Sequence, residues 1–211
     1  MDQGLKGALS LNGPDACRDY YRAWADTYDS GFAVDMDYRL PAHVAAAFLG
    51  SGGEGPVLDV GAGTGLLAER LREMGFDGQI DAADFSAEML KVAAEKRIYG
   101  SLHQVDITKP LTLPRKYCGI VSSGTFTAGH VGPEALPNLL DVALPGALVA
   151  LSINLRVWQA AGFDRALEQL ATDGRIADLR LVEVEVYGAA AAALDADHAG
   201  DRALVALFRG V

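Results

Sequence analysis

Val57–Gly65 reads VLDVGAGTG, and its reading decides the fold. Val57, Leu58 and Val60 form a short apolar run of the kind buried on both faces of a parallel sheet. Gly61, Gly63 and Gly65, with Ala62 among them, then make a tight turn almost bare of side chains. Leu66–Met74 (LLAERLREM) follows with helical spacing, so the turn stands where a strand hands over to a helix. Glycine there accepts positive φ and lets another molecule approach the main chain. Amides exposed at the start of a helix favour polar or anionic groups. The expectation is a nucleotide-like ligand lying across this turn.

Spacing narrows the ligand. A dinucleotide fingerprint, G-x-G-x-x-G, needs its third glycine at position 66, where this chain has Leu66. A phosphate-gripping loop ending in Gly-Lys-Ser/Thr is absent from the sequence. Asp59 lies inside the strand, just ahead of the glycines. Ile80–Asp84 (IDAAD) reads as a second strand ending in an acid, about twenty residues beyond the turn. At that distance a carboxylate reaches a ribose. Ser86 then caps a helix that carries Met89 and Leu90 on its apolar side. Leu102–Ile107 (LHQVDI) reads as a third strand ending in Asp106.

The pattern Asp-x-Gly-x-Gly-x-Gly at Asp59–Gly65 resembles motif I of the class I S-adenosylmethionine (SAM)-dependent methyltransferases, and DFSAEML at Asp84–Leu90 resembles the segment that follows it. The core of the resemblance runs from about Pro56 to Asn154. It implies a Rossmann-like α/β sandwich whose mostly parallel seven-stranded sheet is closed by a C-terminal antiparallel hairpin. It also implies roles for individual residues. Gly61, Ala62, Gly63 and Gly65 would border SAM, and Asp84 would accept from its ribose hydroxyls. Asp106 would accept from the adenine amino group, with Ile107 beside the ring. Asp59 would lie under the methionine moiety or act only as a buried acid bonded to the turn. Phe85 would stack on adenine or face the core.

The fourth strand and its loop read IVSSGTFTAGHVGPEAL, residues 120–136. Small polar residues at a strand end are where open α/β sheets place ligands, so Ser122 and Ser123, with Gly124 and Thr125, are expected at the sulfonium end. The loop lacks the Pro-Pro-aromatic tetrapeptide of the amino-directed DNA methylases and the Pro-Cys nucleophile of the cytosine-C5 enzymes. It resembles most the small methyltransferases of the methyltransferase-like 27 (Williams-Beuren region 27) type. His130 is the nearby group that titrates near neutrality. It is either a base for an attacking hydroxyl or amine, or a loop histidine capping the helix that starts near Pro133. His43, His103 and His198 show no ligand spacing, and no metal site is expected.

Composition bounds the rest. The chain has 211 residues, 50% of them hydrophobic, which suits one domain with a sizeable core. The expected division is an N-terminal helical lid at 1–50, a SAM-binding core at 51–154, and a helix with the C-terminal hairpin at 155–211. Cys17 and Cys118 are far apart, imply no disulfide framework, and fit a reduced cytoplasmic compartment. No signal-peptide core or membrane-spanning run is read in the sequence, so a soluble protein is expected. A net charge of −10 disfavours a nucleic-acid partner. A small-molecule acceptor is expected instead, and a homodimer is compatible with the sequence.

Asp15–Tyr28 reads as a first helix, on which Tyr20, Trp24 and Tyr28 share a face. That face either packs on the sheet or covers the cofactor, S-adenosylhomocysteine (SAH) being the form left after transfer. Leu40–Leu49 reads as a second helix, and strand and helix alternate from residue 56 to 153. Further on, Trp158–Leu170 reads as one helix, with strands at 179–186 and 203–208. Three functions remain open at this level: methyl transfer, SAM binding without turnover, and NAD-dependent dehydrogenation, the last opposed by Leu66. Within the first, a protein or nucleic-acid acceptor is the alternative to a small molecule.

Overall fold

The computed structural model describes Gly31, residues 33–189 and residues 191–211. The aromatic face expected of Tyr20, Trp24 and Tyr28 lies outside the described residues. Among the described residues, α1 (Leu40–Gly50) leads into β1 (Val57–Val60), α2 (Leu66–Glu73), β2 (Ile80–Asp84), α3 (Ala87–Glu95) and β3 (Ser101–Gln104). Then come β4 (Tyr117–Phe126), α4 (Leu136–Asp141), β5 (Ala143–Asn154), α5 (Leu155–Trp158) and α6 (Phe163–Thr172). The chain closes with β6 (Ile176–Glu185), α7 (Ala191–Leu194) and β7 (Arg202–Gly210).

These strands form one seven-stranded sheet in the order β3-β2-β1-β4-β5-β7-β6. β1 to β5 pair in parallel, whereas β7 runs antiparallel to both β5 and β6. The expected sheet, with its antiparallel C-terminal pair, is therefore the observed one. The chain builds outward from β1 to β2 and β3, then returns to lay β4 on the other side of β1. Neighbouring crossovers leave in opposite directions there, which opens a crevice at the carboxyl ends of β1 and β4.

Period-two alternation divides the core between two faces. Leu58, Ile120, Val149, Leu151 and Phe208 face one layer, closed by Leu136, Leu139, Phe163 and Leu167 of the helices. Val57, Val121, Leu148, Ala150 and Leu207 face the other, closed by Val44 and Phe48 of α1 and Leu67 and Leu71 of α2. All four residues of β1 are buried, as its apolar run predicts. β3, at the sheet edge, alternates half-buried and exposed positions. Ser86 caps α3 by accepting from the Met89 amide at 3.2 Å.

Three expectations are revised. The helix predicted over Trp158–Leu170 is two, because Gly162 at φ 83° breaks the chain and starts α6 at Phe163. Asp106 is not at the end of a strand: β3 stops at Gln104, and the Asp106 carboxylate nucleates a turn by accepting from the Thr108 amide at 3.0 Å. β4 runs on to Phe126 through a register irregularity between Ser122 and Phe126. That irregularity carries Ser123, Gly124 and Thr125 to the crevice. Finally, Arg39 N donates to Val186 O and Gly188 N to Asp37 O, both at 2.9 Å. This clip ties the segment before α1 to the end of β6 and holds Tyr38 beside the crevice. No helix among the described residues is long and apolar enough to cross a membrane.

Candidate functional site

A cavity of about 200 Å³ opens at the carboxyl ends of β1, β2 and β4. Of the residues singled out in the sequence, Asp59, Gly61, Ala62, Gly63, Asp84, Phe85, Asp106, Ile107, Ser123 and His130 all line it. Ser122 and Gly65 do not. The Ser122 side chain is fully buried, and its hydroxyl donates to Val60 O at 2.7 Å, tying β4 to β1 behind the cavity wall. Gly65 sits at the start of α2 with φ 96°, and a β-carbon there would approach the Tyr99 ring to 3.1 Å.

The turn itself differs from the sequence expectation in one physical respect. Its amides are not bare. Gly61 N and Ala62 N donate to Ala83 O at 2.8 and 3.2 Å, and Gly65 N donates to Ala62 O at 2.8 Å. Gly63 N donates to Asp84 Oδ2 at 2.8 Å. The glycines supply space instead. Gly61 has φ 63°, and a β-carbon there would lie 2.0 Å from Thr125 Oγ1, so glycine allows β4 to close on the turn. At Gly63 a β-carbon would meet none of the described residues within 4 Å, and its main chain forms part of the cavity wall.

Three carboxylates stand around this wall in different electrostatic settings. Asp84 accepts from Gly63 N through Oδ2 and from Ser86 N through Oδ1, each at 2.8 Å. Burial pushes its carboxyl up, against the opposing pull of those amides and of Phe85 N. Asp59 is almost wholly buried. Its Oδ2 accepts from the Tyr99 hydroxyl at 2.7 Å, while Oδ1 has no hydrogen-bond partner among the described residues. Burial pushes the Asp59 carboxyl up to about 7, with the Tyr99 hydrogen bond opposing the rise and the nearby Asp84 charge adding to it. Asp106 differs: burial would raise it, but the hydroxyl and amide of Thr108 and the Lys109 ammonium outweigh that and hold it below the ordinary carboxylate value.

Tyr38, Ser123, Gly124, Thr125, His130 and Val131 also line the cavity. Burial pushes the Tyr38 phenol up to about 12, with the nearby Ser123 side chain opposing the rise, so it stays protonated at neutral pH. The His130 ring meets Ala128 O through Nδ1 at 2.8 Å. A carbonyl only accepts, so Nδ1 carries the proton and Nε2 is the basic nitrogen of the neutral ring. Burial lowers the His130 pKa, which favours that neutral form at pH 7. The cavity thus offers carboxylate acceptors together with an imidazole held toward its neutral form and a protonated phenol.

Tyr38 and Tyr99 were not singled out in the sequence. Tyr38 reaches the cavity through the clip to β6, a long-range pairing with no local signature. Tyr99 follows α3 and packs beside Ala62, Ala82 and Leu90. Its one local sign is an aromatic residue just ahead of Gly100, where the chain enters β3.

Residues 57–146 match the family described as "Methyltransferase domain". The fold is that of the class I methyltransferases. Methyltransferase-like protein 27 of Homo sapiens is 34% identical over 140 residues, which are 63% of this chain and 56% of that protein. The chain thus spans about half the length of the curated relative it matches. Among solved structures, a DhpI–SAH complex covers 100% of this chain and 98% of its own, with a TM-score of 0.63 at 21% identity. Magnesium protoporphyrin IX methyltransferase from Synechocystis PCC 6803, with bound SAM, covers 92% and 95% with a TM-score of 0.62 at 17% identity.

Proposed function

We propose that this chain transfers a methyl group from SAM to a small-molecule acceptor, leaving SAH. The observation that carries the reading is the gathering of Asp59, the Gly61–Gly63 turn, Asp84 and Asp106 around one cavity at the switch point of the sheet. The match to a human methyltransferase-like protein and the SAM- and SAH-bound neighbours of the same fold support it.

The residues present fit this cofactor. The wall at Gly63 gives a flat ligand access to main chain, and the Oδ1 of buried Asp59, unpartnered among the described residues, suits a cationic or N–H-bearing group. Asp84 accepts from the ribose hydroxyls: a carboxylate has about four acceptor positions, more than the backbone amides of Gly63, Ser86 and Phe85 use. Asp106 takes the adenine amino group, with Ile107 and Phe85 along the ring. Asp59 faces the amino-acid end, while Ser123 and Gly124 border the acceptor side.

When bound, SAM supplies a methyl group already activated on a positively charged sulfur. The chain's own work is to hold the acceptor in line and exclude water, and alignment by itself can contribute up to about 7–11 kcal/mol. His130, neutral with Nε2 basic, takes the proton that an acceptor hydroxyl or amine sheds. The acceptor lies among Tyr38, His130 and Val131, a mixed wall that suits a small, partly apolar molecule. Of the subgroups weighed from sequence, the methyltransferase-like 27 type has the support of the human relative.

Incubation of the full chain with methyl-labelled SAM and a metabolite extract tests the reading. Label in a small product is the expected result. Tight SAH binding with no transfer to any fraction would instead favour a SAM-binding module without turnover. A thermal shift with SAH but not NAD is expected, since ligand at 100 times its dissociation constant stabilises by about 2.7 kcal/mol.

A further inference from the structure

We infer that Tyr99 is a positioning residue, whose hydroxyl holds the Asp59 carboxylate so that one of its oxygens stays available to the cationic amino-acid end of the bound nucleoside. The inference rests on the SAM reading above and extends it to a residue outside the glycine turn and the strand-end acids.

The geometry is specific. Tyr99 packs beside Ala62, Ala82 and Leu90, so its ring is wedged behind the glycine turn. Gly65 gives that ring room: a β-carbon there would come to 3.1 Å from Cε2 and 3.2 Å from the hydroxyl oxygen. A wedged ring fixes where its hydroxyl points, and it points at Asp59 Oδ2, 2.7 Å away. The phenol is strongly disfavoured from ionising, through burial first and then the Asp59 charge and its hydrogen bond, so it remains a donor. With Oδ2 thus engaged, Asp59 Oδ1 is left as a buried acceptor with no partner among the described residues, on a residue that lines the cavity. Desolvated carboxylates of this kind attract a cation strongly, provided they are ionised.

Ionisation is where Tyr99 acts. The groups that face Asp59 are the Tyr99 hydroxyl, which favours the carboxylate, and Asp84 on β2, which opposes it. Glu69 of α2 faces Tyr99 from behind and is itself paired with Lys96 at 2.7 Å, so that edge of the cluster is close to neutral. Without the hydroxyl, Asp59 keeps its burial and its like-charged neighbour and loses the group that offsets them. It would then be protonated at neutral pH and a poor match for an ammonium group.

The test compares SAH with 5′-methylthioadenosine, which has the same nucleoside and lacks the amino acid. Both are titrated by calorimetry against the full chain from pH 6 to 8.5. In the unmodified chain, SAH affinity is expected to rise with pH through the Asp59 titration, while methylthioadenosine affinity stays level. In Tyr99→Phe the SAH curve should move to higher pH. A shift of one unit would weaken SAH about fivefold at pH 7, since the ionised fraction falls by that factor, and would leave methylthioadenosine unchanged. Asp59→Asn supplies a second arm: its SAH affinity should not vary with pH, and adding Tyr99→Phe to it should change nothing further. Superimposed SAH curves for the Tyr99→Phe and unmodified chains would overturn the inference. So would an equal loss of both ligands, which marks a merely structural residue. Failure of the unmodified chain to bind either nucleoside would bring down the SAM reading itself, and this inference with it.

Discussion

Asp84→Asn is the substitution whose outcome is most tightly dictated by the structure. Backbone amides converge on both oxygens of this carboxylate, Gly63 N on Oδ2 and Ser86 N on Oδ1, each at 2.8 Å, with Phe85 N beside them. Asparagine keeps the shape but offers one oxygen and one NH₂ group. Whichever way it turns, one backbone N–H faces another donor. Leaving such a group unpaired costs about 1–3 kcal/mol, and the partial exposure of this site puts the loss of folding stability near the lower end, about 1–2 kcal/mol. Ligand affinity should suffer more. On the proposed ribose assignment, a carboxylate accepting two hydroxyls would become a neutral amide accepting at most one, and charge-assisted bonds are worth roughly 1.5–3 kcal/mol each. With part of that recovered by the amide oxygen and by water, SAH should bind about 2–4 kcal/mol more weakly, or roughly 30- to 700-fold. Calorimetry with SAH and urea denaturation measure the two effects separately. An affinity within threefold of the unmodified chain, with folding intact, would refute the ribose assignment.

Further outcomes follow from neighbouring residues. Gly61→Ala places a β-carbon 2.0 Å from Thr125 Oγ1 at φ 63°, and should destabilise the fold by about 2 kcal/mol or more. Adding Thr125→Ala removes the hydroxyl and methyl and should return most of the steric part, leaving the 3.0 Å approach to its β-carbon and a backbone penalty of about 1 kcal/mol, as read by chemical denaturation. Asp59 contributes a stability term that depends on pH. Its carboxyl rises from 3.8 in the unfolded chain to about 7 in the folded one, so its contribution is fully present below about pH 4 and lost as pH rises through 7. At about 1.4 kcal/mol per unit this amounts to at most about 4 kcal/mol, and Asp59→Asn should remove that slope from a plot of unfolding free energy against pH. For His130→Ala the turnover number with the true acceptor should fall about 10²- to 10⁴-fold at neutral pH. An undiminished turnover number across pH would remove His130 as the base.

Most of the fold was legible in local sequence. β1 and its glycine turn, the Ser86 cap and the acid at the end of β2 each follow from short-range rules: an apolar run, positive φ, a side chain reaching the helix amides, a strand terminus. The strand alternation from residue 56 to 153 then implies the parallel order. What misled was also local. The amides of Gly61, Ala62 and Gly63 read as open because sequence does not reveal that Ala83 O and Asp84 will be folded against them. Ser122 and Ser123 look equivalent side by side, yet one is buried against β1 and the other lines the cavity. Alternation along β4 sends neighbours to opposite sides, but only the pairing decides which side is which.

The amino-acid sequence by itself determined the class of the sheet, the turn at Gly61–Gly65 and the acids that line up behind it, because these are properties of a few adjacent residues. The tertiary structure alone decided the partners of each group. Tyr38 reaches the cavity because residues 37–39 are clipped to 186–188. Tyr99 meets Asp59 across forty positions of chain because Gly65 leaves room for its ring. Burial then turns that contact into chemistry: a carboxylate that would be fully ionised in water is held near its midpoint at neutral pH, since the interior penalises its charge and a single hydroxyl partly offsets the penalty.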